Sequence, residues 1–194
     1  MLDTPESKFI IEKLSAELLP HLQYHCVNHT LDVYRTAAMI AKNEGVGAED
    51  TRLLLIAALY HDSGFLQQSK GHEKVSCEIA SEVLPRYGYS PTEIGKICEM
   101  IAATQIPQSP HSLLEQIICD ADLDYLGRDD FFEKGHNLYL EMHHEGTITN
   151  EADFDKLQID FLKQHSYFTQ TAQNLRNEKK AEHLNRLLSK NKSK

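Results

Sequence analysis

An all-α fold, arranged as a compact single-domain helical bundle, is what the sequence predicts. Apolar residues recur at i, i+3 and i+4 along most of the chain, and alternating runs of the strand type are almost absent. The 194 residues suffice for one domain with a substantial core and are too few for two ordinary ones. No internal repeat or low-complexity linker divides them.

The elements follow in order. A first helix covers about residues 6–19 and stops near Pro20. A second runs from about Thr30 to Glu44, with Val33, Ala37, Ile40 and Ala41 on one face and Gly45 as its stop. The third, about 49–62, contains LLLIAALY and is apolar nearly all round, which places it in the middle of the bundle. A fourth spans about 72–86, and a fifth, about 90–104, opens at Ser90-Pro91 with Glu93 in its first turn. Pro107 and Pro110 mark a break. Further helices are expected over 111–127, 130–145, 151–164 and 168–190, with a frayed tail at 189–194. The last helix sets Leu175, Leu184, Leu187 and Leu188 among charges. That amphipathic face suits packing on the bundle or on a second copy in a homodimer.

Bulk composition excludes several classes of function. No apolar run approaches the ~20 residues needed to cross a bilayer. The opening MLDTPESKFI lacks the basic start and apolar middle of a secretory signal, so a cytoplasmic protein without membrane contact is expected. A formal net charge of −9 disfavours nucleic acid as a partner. Cys26, Cys77, Cys98 and Cys119 are scattered without a CxxC pair, which argues against a thiolate metal site and a disulfide framework.

Three segments carry chemistry: Tyr24-His25-Cys26-Val27-Asn28-His29, Ala57-Ala58-Leu59-Tyr60-His61-Asp62-Ser63-Gly64 and Asp120-Ala121-Asp122-Leu123-Asp124-Tyr125-Leu126-Gly127. In the second, an apolar helix runs into an imidazole and a carboxylate just before a glycine. A charge at the end of a core helix needs a cation or hydrogen bonds. Both side chains reach one ion if it lies beyond the helix end, and they are natural ligands for Zn, Mn, Fe, Co or Ni. His29, at the start of a helix whose inner face is apolar, should point inward. Helical periodicity does not choose among Asp120, Asp122 and Asp124. His143-His144 with Glu141 and Glu145 reads as a solvated face, since adjacent histidines diverge on a helix.

Taken together, the order H…HD…D resembles the HD-domain superfamily of metal-dependent phosphohydrolases, over roughly residues 20–130. The resemblance implies metal ligands at His29, His61, Asp62 and Asp122, with Asp120 and Asp124 as near alternatives, and one divalent ion (Zn, Mn, Fe, Co, Ni or Mg). It implies residues 1–19 as a helix packing on a metal-binding core at 20–130, with 131–188 completing the same domain. Members with two metals usually carry a histidine where this chain reads Ile101-Ala102-Ala103-Thr104-Gln105, so a single metal is expected, with His72 near a substrate phosphate. The Tyr24-His25 start is similar to that of cyclic-nucleotide phosphodiesterases, which implies His25 as general acid; Cys26 departs from that pattern. Lys74, Arg35 and Arg128 are candidate cations for the phosphate, Lys74 being placed with His72 in substrate binding. The activity implied is hydrolysis of a phosphomonoester or phosphodiester of a nucleotide-like small molecule by metal-activated hydroxide, with Asp122 also orienting the water. An HD-type di-iron oxygenase and a non-catalytic metal- or nucleotide-binding regulatory module are the alternatives.

Overall fold

A computed structural model describes residues 2–192, with side chains to residue 190. Nine α-helices account for most of it: α1 (Pro5–Glu17), α2 (Val27–Asn43), α3 (Ala48–Tyr60), α4 (His72–Val83), α5 (Pro91–Ala103), α6 (Leu113–Asp122), α7 (Phe131–His144), α8 (Glu151–Gln164) and α9 (Gln170–Lys192). Three single-turn 3-10 segments, Ser63–Leu66, Leu84–Tyr87 and Asp124–Gly127, follow α3, α4 and α6. Among the described residues there is no strand, and no helix is long and apolar enough to cross a membrane.

The central element is α3. Every residue from Leu53 to Tyr60 is buried, because the helix has no polar stripe to give to water. It packs against α2 on one side and α5 on another, and α6 closes the layer by resting on α2 and α5. Side-chain caps fix where several helices begin. Ser90 and Glu93 form a reciprocal capping box on α5, Ser112 accepts from the Glu115 amide at α6, and Asn150 accepts from the Asp153 amide at α8.

Two expected elements differ. The helix anticipated over 111–127 stops at Asp122, and Leu123, at φ −101° and ψ 15°, leads into a 3-10 turn. That turn lies against α9, so close that a Cβ on Gly127 would meet the Arg176 backbone oxygen at 2.5 Å. The closing helix runs to Lys192 rather than fraying from 189, and residues 193–194 lie outside the described residues. Its leucines divide: Leu187 is buried, while Leu175 stays exposed.

The α8–α9 corner contains a titratable group. His165 Nδ1 lies 3.1 Å from Lys180 Nζ, and burial together with that cation lowers the His165 pKa to about 4. The unfolded chain takes up a proton near pH 6.5, the folded chain only near 4. This contribution to stability is therefore whole above pH 6.5 and declines as pH falls toward 4. With allowance for partial exposure it amounts to about 2 kcal/mol. Denaturant titrations of His165→Asn between pH 7 and 4 are expected to lose less stability than the parent across that window. Parallel losses in both would contradict this assignment.

Candidate metal centre

The apolar helix α3 delivers His61 and Asp62 just past its last turn, and the chain then folds into the 3-10 turn at Ser63. His29 lies in the first turn of α2, Asp122 is the last residue of α6, and His72 opens α4. These side chains meet. His29 Nε2 stands 3.0 Å from Asp122 Oδ1 and 3.3 Å from Asp62 Oδ2. His61 Nε2 is 3.1 Å from Asp62 Oδ2 and 3.5 Å from Asp122 Oδ1. One ligand atom each from His29, His61 and Asp122 falls within 4.8 Å of the others. Three of the four expected ligands thus share one candidate ion position, and Asp62 Oδ2 lies against both of its imidazoles.

Two details fit these residues to a cation. His61 donates from Nδ1 to the Ala58 carbonyl at 2.9 Å, and His72 donates from Nδ1 to the Ser69 carbonyl at 2.9 Å. That tautomer leaves each Nε2 with its lone pair turned to the cluster, the arrangement of metal-binding imidazoles. His61 Nε2 and Asp62 Oδ2, moreover, are buried without a hydrogen bond of good geometry, a costly state unless something else occupies the point between them.

The charges there depend on one another. Burial disfavours ionised Asp62 and Asp122, yet neighbouring His61 and His29 hold both carboxyls well below the usual carboxylate range. Burial likewise disfavours protonated His29 and His61, yet the same carboxylates raise both imidazoles. The cluster demands positive charge, which a divalent ion supplies.

The structure separates the three aspartates that periodicity left open. Asp120 accepts from the Phe168 amide at 2.8 Å and the Thr169 amide and hydroxyl at 2.7 Å each, anchoring the start of α9. Asp124 takes the Arg176 guanidinium at 2.6 and 3.1 Å. Only Asp122 of the three reaches the imidazoles.

Other expected residues fall elsewhere. His72 sits against Asp62, Nε2 to Oδ1 at 3.2 Å, and lines the cavity beside the cluster. Lys74 points outward with its side chain 84% exposed, beside Glu78. Arg35 pairs with Asp32 at the surface, and Arg128 is held by Asp130 and Asp32. His25 does face the site, stacked on Phe65 with ring centroids 4.0 Å apart.

The expected solvated face on α7 holds for His143, His144 and Glu145 and is corrected at Glu141. Glu141 is buried and bonds the His25 Nδ1. It also accepts from the backbone amides of Tyr24 at 3.1 Å and His25 at 3.2 Å. Glu145 accepts from the Ser69 hydroxyl, and His144 stacks on His21 at 4.2 Å. His143, His144 and Glu145 are exposed, whereas Glu141 faces inward and holds the Tyr24–His25 segment.

Beside the cluster opens a cavity of about 330 Å³, its lining including His25, Asp62, His72 and Asp122 at one end.

An all-helical bundle that gathers imidazoles and carboxylates from separate helices at one buried point is a protein equipped to hold a metal ion. The HD domain family model matches residues 26–124, just over half of the chain, and the chain belongs to the HD-domain family. Among solved structures, one of a predicted HD superfamily hydrolase from an uncultured Thermotogales bacterium is 22% identical at a TM-score of 0.66. That match covers 98% of this chain and 95% of the other. A protein from Lactobacillus plantarum is 17% identical at a TM-score of 0.70, over the whole of both chains. At these identities the likeness is one of fold. No curated protein matches the sequence.

Gly64 sets the geometry of this centre. A Cβ there would stand 2.0 Å from the His72 carbonyl oxygen, so Gly64→Ala must push α4 away from Asp62. We expect a destabilisation of about 2–4 kcal/mol in urea denaturation, with less than half the parent's metal by elemental analysis. Unchanged values for both would show that this close approach is not required.

Proposed function

We propose that the protein is a metal-dependent phosphohydrolase that cleaves a phosphomonoester or phosphodiester of a small organic molecule. The observation that carries this reading is the position of His25, oriented by a buried glutamate and facing an open cavity beside a His/Asp cluster. His29, His61, Asp62 and Asp122 would hold one divalent ion, with His72 against the second oxygen of Asp62. When bound, such an ion supplies Lewis acidity toward a phosphoryl oxygen and makes a neighbouring water more acidic.

The chain's own residues do the rest. A carboxylate can only accept, so the His25–Glu141 bond fixes the proton of His25 on Nδ1. Nε2 is then the atom left for the substrate. Two backbone amides hold Glu141 from the other side and Phe65 supports the ring face, so the imidazole cannot swing. A protonated Nε2 held in this way can give its proton to the departing oxygen, which matters most when that oxygen is a poor leaving group. Asp122, which contacts His29 and lines the cavity, would orient the attacking water. The absence of a histidine in Ile101-Ala102-Ala103-Thr104-Gln105, where members with two metals usually carry one, supports this reading over di-iron oxygen chemistry.

The test separates binding from proton transfer. His61→Ala should lose the metal and all phosphoesterase activity. His25→Gln and Glu141→Gln should keep the parent's metal content while turnover of an alkyl ester falls about 10²-fold, with a smaller loss for a nitrophenyl ester, whose leaving group needs no proton. Full activity in His61→Ala, or equal losses on both esters in His25→Gln, would contradict the proposal.

A further inference from the structure

The cavity beside the cluster has two unlike ends. One carries His25, His72 and the carboxylates Asp62, Glu73 and Asp122; the other is walled by α7 and α8 through Leu138, Met142, Phe154, Leu157, Phe161 and Leu162. Among the described residues that line it, none is lysine or arginine. The cations weighed from sequence are committed elsewhere: Lys74 lies outward beside Glu78, Arg35 pairs with Asp32, and Arg128 with Asp130 and Asp32. The apolar wall also continues outward, because Ile106 and Leu157 line the cavity and remain 53% and 44% exposed.

A phosphoryl group at the cluster end can meet a metal ion. A second or third phosphate further along would meet a mostly hydrocarbon wall, with the Gln158 amide and the Thr104 hydroxyl but no cation to balance its charge. A hydrocarbon or aromatic group would instead find a surface made to remove it from water.

We propose that the substrate is a phosphoester of an apolar alcohol, with its single phosphoryl group at the His/Asp cluster and its hydrocarbon or aromatic body between α7 and α8. The same wall disfavours nucleoside di- and triphosphates, whose further charges would meet no cation there. This rests on the phosphohydrolase reading above. The reaction is a plain hydrolysis: water oxygen bonds to phosphorus and its proton passes to solvent, the ester P–O bond breaks, the proton held at His25 Nε2 goes to the alcohol oxygen, and His25 takes a proton back from solvent. No oxidant or reductant is needed.

Calorimetric titration of the metal-loaded full chain with 1-alkyl phosphates from ethyl to octyl, and with AMP, ADP and ATP, tests this. Affinity should rise about fourfold per methylene until the cavity fills, so that octyl phosphate binds over a hundredfold more tightly than ethyl phosphate. ATP should bind no better than AMP. Leu157→Lys, at an exposed position on the rim, should weaken octyl phosphate about tenfold and strengthen ADP. Affinity independent of chain length, or ATP binding more tightly than octyl phosphate, would overturn the assignment. The two readings fail separately. A steep chain-length response without hydrolysis of any ester would sink the hydrolase and leave the cavity's preference standing. Hydrolysis of bis(p-nitrophenyl) phosphate without that response would do the reverse.

Discussion

Two carboxylates, Asp62 and Asp122, are brought within hydrogen-bonding reach of the same imidazoles inside a helical bundle. Ionised groups removed from water are tolerated only where opposite charge is close and well aligned. Among the described residues no lysine or arginine takes part in this cluster, so its positive charge comes from protons on His29 and His61 or from a metal ion. Protons leave His61 Nε2 and Asp62 Oδ2 without well-formed hydrogen bonds. A divalent ion would engage both. Much of the molecule is arranged around keeping those four side chains at one point.

The scaffold does so by placing ligands at helix ends, where the side-chain direction is fixed by rigid elements and the backbone remains free to turn. The buried α3 carries His61 and Asp62 out of the core, and Gly64 lets the start of α4 approach until His72 touches Asp62. Outside this layer a second set of carboxylates does structural work. Asp120 and Asp124 tie α9 to the end of α6, which carries Asp122. Glu141 ties α7 to the Tyr24–His25 segment ahead of α2. Packing of the C-terminal helices and orientation of the site are therefore the same problem, and the cavity lies between them.

The helical bundle was legible in the sequence from its apolar periodicity, and the grouping of His29 with His61 and Asp62 followed from the resemblance of the H…HD…D order, since the His-Asp pair at the end of an apolar helix is weak evidence by itself. Among Asp120, Asp122 and Asp124 helical periodicity could not decide and only the resemblance favoured Asp122: the physical distinction rests on amides at 168 and 169 and on Arg176, which are about fifty residues away. Glu141 was missed for the same reason. Its partner His25 lies 116 residues earlier, and beside two histidines it looked like part of a wet surface. Lys74 was misplaced because proximity to His72 in sequence says nothing about which side of α4 faces the cavity. The apolar wall of α7 and α8 was visible only as ordinary amphipathic spacing, which a core face and a substrate wall share.

X-ray absorption spectroscopy on the zinc-loaded chain addresses the common cation most directly. The account predicts one zinc environment of mixed nitrogen and oxygen donors, with at least two imidazoles at about 2.0–2.1 Å, both lost from the spectrum in a His29→Ala, His61→Ala double variant. An all-oxygen shell, or a spectrum unchanged by that double substitution, would show that the histidines and aspartates do not hold a metal.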